Sequence, residues 1–249
     1  MTLNPYDAVV ADAFKESREI PLEGLAEWRD AVRRHLDPRP GMRLVDIGAG
    51  TGAFTSAFSD WFGIEVVAVE PSAAMRSHIR RSEAIDVLEG SALAIPLPDA
   101  SADAAWLSLV IHHVPDLDAA AREIRRVLRP GAPVLIRQGF PDRALDGIEM
   151  IRWFPETAQV VATYPSLAET CAAFARAGFR CEAVEPVRDV PPGTLADFLR
   201  DTETLRRADT TLRTLTDDEF GRGRERLRRA VEVDDPEPRA NVLDLLVLR

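Results

Sequence analysis

Cysteine is almost absent: the 249-residue chain has two, Cys171 and Cys181, and their spacing is not C-x-x-C. Neither a disulfide framework nor a cysteine-rich zinc site is indicated, no metal is expected, and a reducing compartment is the simpler inference. Long apolar runs are missing too. No segment approaches the ~18 apolar residues of a membrane span, and the opening MTLNPYDAVVADAF lacks the basic start and apolar core of an export signal. A cytoplasmic location is expected, with no membrane partner. Positive charge is in deficit: the net charge of −10 opposes a polyanionic partner, so no nucleic acid is expected. The locally basic GRGRERLRR at 221–229 reads as a solvated helix face. Internal repeats and low-complexity tracts are lacking, and DDPEP at 234–238 reads as a polar turn.

What is present suffices for one large α/β domain, since 46% of the residues are hydrophobic and a chain of this length can bury a sizeable core. Leu22 to Leu36 is patterned as an amphipathic helix that stops at Asp37-Pro38, so residues 1–40 form a helical cap before the core. From Met42 the pattern becomes strand, loop, helix. RLVDIG, IEVVAVE, IDVLEG, AAWLSLVI and PVLIRQ read as strands, with AFTSAFSDWF, AAMRSHIRRSE and LDAAAREIRRVL as helices, the rhythm of a parallel sheet. This core is expected over 41–138. Residues 139–165 interrupt it and predict a lid or binding wall. A helix over Leu167–Ala177, the strand GFRCEAVEP, two further helices over Leu195–Ala208 and Asp217–Val231, and the final strand NVLDLLVLR complete 166–249.

The most informative stretch is Val45 to Gly52, VDIGAGTG. Glycines at alternate positions after a strand let the chain turn sharply, expose its N–H groups and leave room for a nucleotide-sized ligand. Taken alone, Gly48, Gly50 and Ala53 also satisfy G-x-G-x-x-A, so the loop fits a nicotinamide cofactor equally well. Glu70, at the end of the next aliphatic run, can accept hydrogen bonds from both ribose hydroxyls of either cofactor.

The series that follows separates the two: LEGSALAIPLPDASAD at 88–103, WLSLVIHHVPDL at 106–117 and EIRRVLRPGAPVLIR at 123–137. Together with the loop it resembles the class I S-adenosylmethionine-dependent methyltransferases, specifically the small-molecule group with a D-x-G-x-G-T-G loop. The resemblance runs from about Arg43 to Arg137 and continues more weakly through LAETCAAFARAGFRCEAV. It implies a Rossmann-like, doubly wound, mostly parallel seven-stranded sheet, with the helical cap and a helical insert over the site.

It also implies S-adenosyl-L-methionine as cofactor. The backbone of Gly48, Ala49, Gly50 and Gly52 would hold its methionine end, with Asp46 fixing the loop or the amino group. Glu70 would take the ribose hydroxyls, Pro71 to Met75 would lie against adenine, and Leu109 would complete the wall. Ser91 stands where many relatives have an aspartate facing the adenine amino group; Ser91 can still accept as a neutral partner, and Ala92 can offer its backbone N–H. Arg18 is the candidate cation for the methionine carboxylate, with a surface pairing to Glu16 or Glu19 as the alternative. Tyr6 is a candidate lid residue on the substrate side.

Methyl transfer from a sulfonium is an in-line displacement that demands alignment, exclusion of water and sometimes removal of a proton. His112 and His113 follow the fourth strand at the end of the sheet where open α/β folds place ligands, and one of them is the candidate base. An extended chain there would point their rings to opposite faces, so they are not expected to act together. His35 and His78 sit on helical segments and read as surface residues. No N-P-P-Y motif follows the fourth strand, which favours an oxygen or carbon acceptor over nitrogen, and Trp153, Phe154 and Tyr164 suggest an apolar or aromatic small molecule. The expectation is methyl transfer to a small metabolite, in specialised biosynthesis. The alternative is a cofactor-binding protein, or an enzyme of this fold with other chemistry. Oligomeric state is not readable from the chain.

Overall fold

The computed structural model describes residues 7–18, 21–233 and 239–249, with only the backbone of residues 17 and 18. Tyr6, the DDPEP stretch and the side chain of Arg18 therefore lie outside the described residues. Among the described residues, seven strands form one sheet in the order β3-β2-β1-β4-β5-β7-β6. They are β1 Arg43–Ile47, β2 Glu65–Val69, β3 Ile85–Leu88, β4 Ala104–Ser108, β5 Val134–Gln138, β6 Cys181–Asp189 and β7 Asn241–Leu248. The first five are parallel, and β7 runs antiparallel between β5 and β6.

The aliphatic runs become central strands because helices close both faces, so β1, β4 and β5 are buried almost throughout. The helices are α1 Ala8–Arg18, α2 Ala26–Leu36, α3 Ala53–Phe62, α4 Ala73–Arg76, α5 Leu117–Val127, α6 Glu149–Trp153, α7 Ala158–Val161, α8 Leu167–Arg176, α9 Leu195–Ala208 and α10 Asp217–Glu232. One face buries Val45, Ile47 and Ile136 under α5 and α8; the other buries Leu44, Trp106 and Leu135 under α2 and α3. Trp28 of α2 meets Trp106 edge-on at 6.0 Å, which docks the cap to the sheet. Among the described residues, no helix is long and apolar enough to cross a membrane.

Four expectations are corrected. The helix expected over 73–83 is a single turn, because His78 and Ile79 donate to Met75 and Arg76, three residues back, and such tight bonds close a helix. The strand expected from Gly178 begins at Cys181 instead. Gly178, at φ +89°, turns the chain out of α8, and Phe179 returns a hydrogen bond to Phe174. That same turn brings Cys171 and Cys181, ten residues apart, into a disulfide with Cα atoms 6.0 Å apart. The pair was not legible as a motif, and the inference of a reducing compartment loses its basis. Finally, His35 and His78 are half-buried, with Nε2 2.9 Å from Glu185 and 3.1 Å from Asp12.

The segment after β5 folds into α6, a tight turn at Pro155–Thr157 and α7, while the β6–β7 connection supplies α9 and α10. Together they build a separate small core around Phe154, Phe198, Phe220 and Leu227. The basic run 221–229 is more than a solvated face. Arg222 and Arg226 reach Glu156 and Arg224 reaches Glu203, so α10 is tied to its neighbours by ion pairs. Ser166, Thr194 and Thr216 form capping boxes that start α8, α9 and α10.

Candidate active site

A cavity of ≈ 660 Å³ opens at the carboxyl ends of the strands, between the sheet and the insert helices, where open α/β folds bind ligands. Its first wall is the β1–α3 loop. Gly48 sits at φ +70°, and a Cβ there would meet Val110 Cγ2 at 2.6 Å; Gly50 sits at φ +57° with nothing within 4 Å of its missing Cβ. One glycine is required by close packing, the other by open space that a ligand can fill. Gly52 begins α3 against Ile79 rather than on the cavity, and the N–H groups of Gly48, Ala49, Gly50 and Gly52 are already bonded to Val69, Glu70 and Ala49, so the loop offers a ligand open space rather than the free N–H groups expected.

Two buried carboxylates face this wall. Glu70, 6% exposed, accepts from the Gly50 N–H at 3.0 Å through Oε2 and from the Ser72 N–H at 2.8 Å through Oε1. Each oxygen keeps a lone pair for a further donor. Burial pushes its carboxyl up, against the two backbone donors and Arg76. Arg76 also clamps the turn after Glu70, donating to the carbonyls of Glu70 and Pro71 at 2.8 Å each. Asp46, 2% exposed, accepts from Thr55 Oγ1 at 2.6 Å. Loss of solvation, aided by the nearby Glu70 charge, raises Asp46 to about 7 despite the Thr55 bond.

The remaining cofactor-side candidates border the same space. Met75 is buried and Pro71 is exposed at the rim. Ser91 Oγ already accepts from Leu93 N at 3.3 Å, leaving its second lone pair for an adenine donor, and Ala92 lies beside it. Leu109 adopts φ +55°, a costly conformation for a non-glycine residue and one that tends to persist where a site requires it.

The histidines depart from expectation. Ile111–His113 is a tight helical turn rather than extended chain, so both rings border the cavity with centroids 4.1 Å apart. His112 lies 3.4 Å from Gln138 Oε1 and stacks on Tyr164 at 4.1 Å. Burial first, then the Arg213 charge, lowers the His113 imidazole from its ordinary value, which favours its neutral form. Tyr164 is thus on the site. Trp153 and Phe154 are not: they pack in the insert's own core, with Phe154 stacked on Phe220 at 5.5 Å.

A second polar pole was missed in the sequence. Arg137, at the end of β5, donates to Asp189 Oδ2 at 2.6 Å and to Ser108 Oγ at 3.3 Å, and its guanidinium lies 5.1 Å from the Trp28 ring centre and 5.5 Å from that of Phe54. Asn241 also reaches Asp189 Oδ2, at 3.3 Å. Arg239 holds Glu149 through two bonds of 2.8 and 2.9 Å. These polar residues come from five separate segments, so no local motif announces them. Only their position at strand ends, the criterion that singled out the histidines, pointed there.

Comparison with known proteins agrees with this geometry. Residues 45–136 match the family described as "Methyltransferase domain". The chain is 37% identical over 109 residues to the demethylmenaquinone methyltransferase of Corynebacterium kroppenstedtii, covering 44% of this chain and 47% of that protein. It is 38% identical over 107 residues to the malonyl-[acyl-carrier protein] O-methyltransferase of Erwinia pyrifoliae, covering 43% and 40%. The match thus spans less than half the length of either relative. A solved structure attributed to a methyltransferase of an antibiotic biosynthesis pathway, from Anabaena variabilis, superposes with a TM-score of 0.72 over 90% of this chain and 97% of that one, at 22% identity.

Proposed function

We propose that this chain, a class I S-adenosylmethionine-dependent methyltransferase by family, transfers a methyl group from S-adenosyl-L-methionine to an oxygen or carbon of a small organic acceptor held under the insert helices. The observation that carries this reading is Glu70. A buried carboxylate pinned by the Gly50 and Ser72 N–H groups, at the rim of an open glycine loop, is built to receive two neighbouring hydroxyls such as those of a ribose.

The bound cofactor would supply an electrophilic methyl group on its sulfonium. The chain's residues do the rest. Asp46, which also holds Thr55 in the first turn of α3, would take the methionine ammonium; Met75, Ser91 and Ala92 would take the adenine; Leu109 and the insert helices would exclude water. His112 or His113 accepts the proton that the acceptor loses, and Tyr164 fixes the His112 ring. Alignment supplies much of the rate in such a displacement, with a general base adding roughly 10²- to 10⁴-fold.

Apart from His112 and His113, the walls proposed for the acceptor belong to the part of the chain beyond residue 136, where the family match ends. One relative is named for demethylmenaquinone and the other for malonyl-[acyl-carrier protein], so the shared cofactor half is compatible with unlike acceptors. The apolar cavity supports a hydrophobic one, and likeness over nearly the whole chain to a protein of an antibiotic pathway supports a specialised product. Incubation with S-adenosylmethionine and a panel of hydroxylated aromatic and quinol compounds, followed by the appearance of S-adenosylhomocysteine, tests the proposal. Acceptor-dependent release supports it. Tight cofactor binding without release for any acceptor would point to other chemistry on this fold.

A further inference from the structure

Building on the cofactor reading above, we infer that Asp189 recognises the acceptor, its Oδ1 taking a hydrogen bond from a hydroxyl on a molecule with an apolar face. Asp189 ends β6 and is 0% exposed. Its Oδ2 receives Arg137 Nη2 at 2.6 Å and Asn241 Nδ2 at 3.3 Å, whereas Oδ1 is buried with no partner among the described residues. A buried carboxylate oxygen left unbonded is uncommon because its desolvation is uncompensated, and such an atom calls for a donor from outside the protein. Asp189 borders the cavity while Oδ1 itself is closed to solvent, so an entering ligand brings that donor by displacing the side chains that cover it.

The surroundings restrict what carries it. Ile148, Met150, Val161, Phe198, Leu205 and Leu243 line this end beside polar residues that include Glu149, Asp201, Asp209 and Thr211, so the body that arrives there has an apolar face as well as polar edges. Arg137 already balances the Asp189 charge in a nearly solvent-free pair, and a cationic ligand would be left uncompensated; a neutral O–H donor fits. Successive strand residues face opposite sides of a sheet. Arg137 accordingly serves Asp189 while the next residue, Gln138, serves His112. The cavity therefore has one polar station on each side of β5, and an acceptor whose hydroxyl is held at Asp189 has its apolar face left to reach toward His112 and Tyr164.

The test is calorimetric titration with S-adenosylhomocysteine, then of the loaded protein with β-naphthol and with its methyl ether, which lacks the donor. Wild type is compared with Asp189→Asn, in which Arg137 claims the amide oxygen and the amide N–H₂ faces the ligand. A double variant, Arg137→Met with Asp189→Leu, removes the pair without stranding a charge; circular dichroism confirms that each variant is folded. The wild type should prefer β-naphthol by about tenfold or more, because a site built to accept from a hydroxyl rejects the analogue lacking it. The preference should shrink to within about twofold in both variants. Equal binding of the two probes, binding of neither, or a preference that survives in both folded variants would overturn the assignment of Asp189. Failure of S-adenosylhomocysteine to bind would instead overturn the cofactor reading.

Discussion

The two ends of the cavity are built on different principles. At the end proposed for the cofactor a tight backbone loop shapes the wall: the N–H groups of Gly48, Ala49, Gly50 and Gly52 are taken up by Val69, Glu70 and Ala49, and the few side chains that matter, Asp46 and Glu70, sit at the ends of adjacent parallel strands. At the end proposed for the acceptor side chains shape the wall, with Arg137, Asp189, Asn241 and Glu149 converging from β5, β6, β7 and α6. A backbone site demands fixed glycines and turns, which tolerate little change whatever the acceptor. A convergent side-chain site can be rebuilt one residue at a time, which is how one fold serves many substrates.

If the two ends are separable, damage to one should spare the other. Phe154→Ala, in the fully buried core of the insert, should cost about 3–5 kcal/mol of stability by emptying a packed aromatic site. The protein that remains folded should bind S-adenosylhomocysteine normally; denaturant unfolding alongside calorimetry separates the two quantities, and a parallel loss of affinity would show the ends to be coupled. Glu70→Ala should act in the opposite sense. Losing hydrogen bonds to a charged acceptor at about 1.5–3 kcal/mol each weakens S-adenosylhomocysteine by roughly 100-fold or more, and an unchanged affinity would remove the ribose assignment. For His112→Ala and His113→Ala, steady-state kinetics should show about 100-fold loss of kcat for the residue that acts as base, with cofactor affinity within about twofold. Normal turnover in both would leave alignment and desolvation to carry the rate.

The smallest expected effect is on pH. With Asp46 raised to about 7, the free protein carries it protonated below that value, and pairing with the cofactor's ammonium requires it ionised. S-Adenosylhomocysteine affinity should therefore rise with pH through about 7, by at most about tenfold per unit, and level off above. Glu70, raised by burial, adds in the same sense. Asp46→Asn should flatten the Asp46 contribution. Because the unfolded value is 3.8 and the folded one higher, the stability contributed by this site is fully present below pH 3.8. It is lost as pH rises to about 7, which thermal melts of the free protein across that range can follow.

Much of the fold could be read directly because its signals are local. The βα alternation, the helix over Ala53–Phe62 and the helix over Leu195–Ala208 follow from apolar spacing and end signals, and Gly48, Gly50 and Glu70 follow from what a tight loop and a ribose require. The errors arose where tertiary contacts decide. A disulfide closed by the Gly178 turn has no spacing rule, and Trp153 and Phe154 read as ligand walls because aromatic content does not say which partner a ring will find. His112 and His113 were expected on opposite faces because nothing local marks the turn at Ile111–His113. Asp189 lay unseen for a similar reason: its meaning depends on Arg137 and Asn241, each 52 residues away.

The central claim is that the loop and Glu70 form an S-adenosylmethionine site, and titration of the purified protein with S-adenosylhomocysteine and, in parallel, with NADH tests it most directly. The account predicts micromolar binding of S-adenosylhomocysteine and none of NADH. Binding of NADH alone, or of neither, would contradict it.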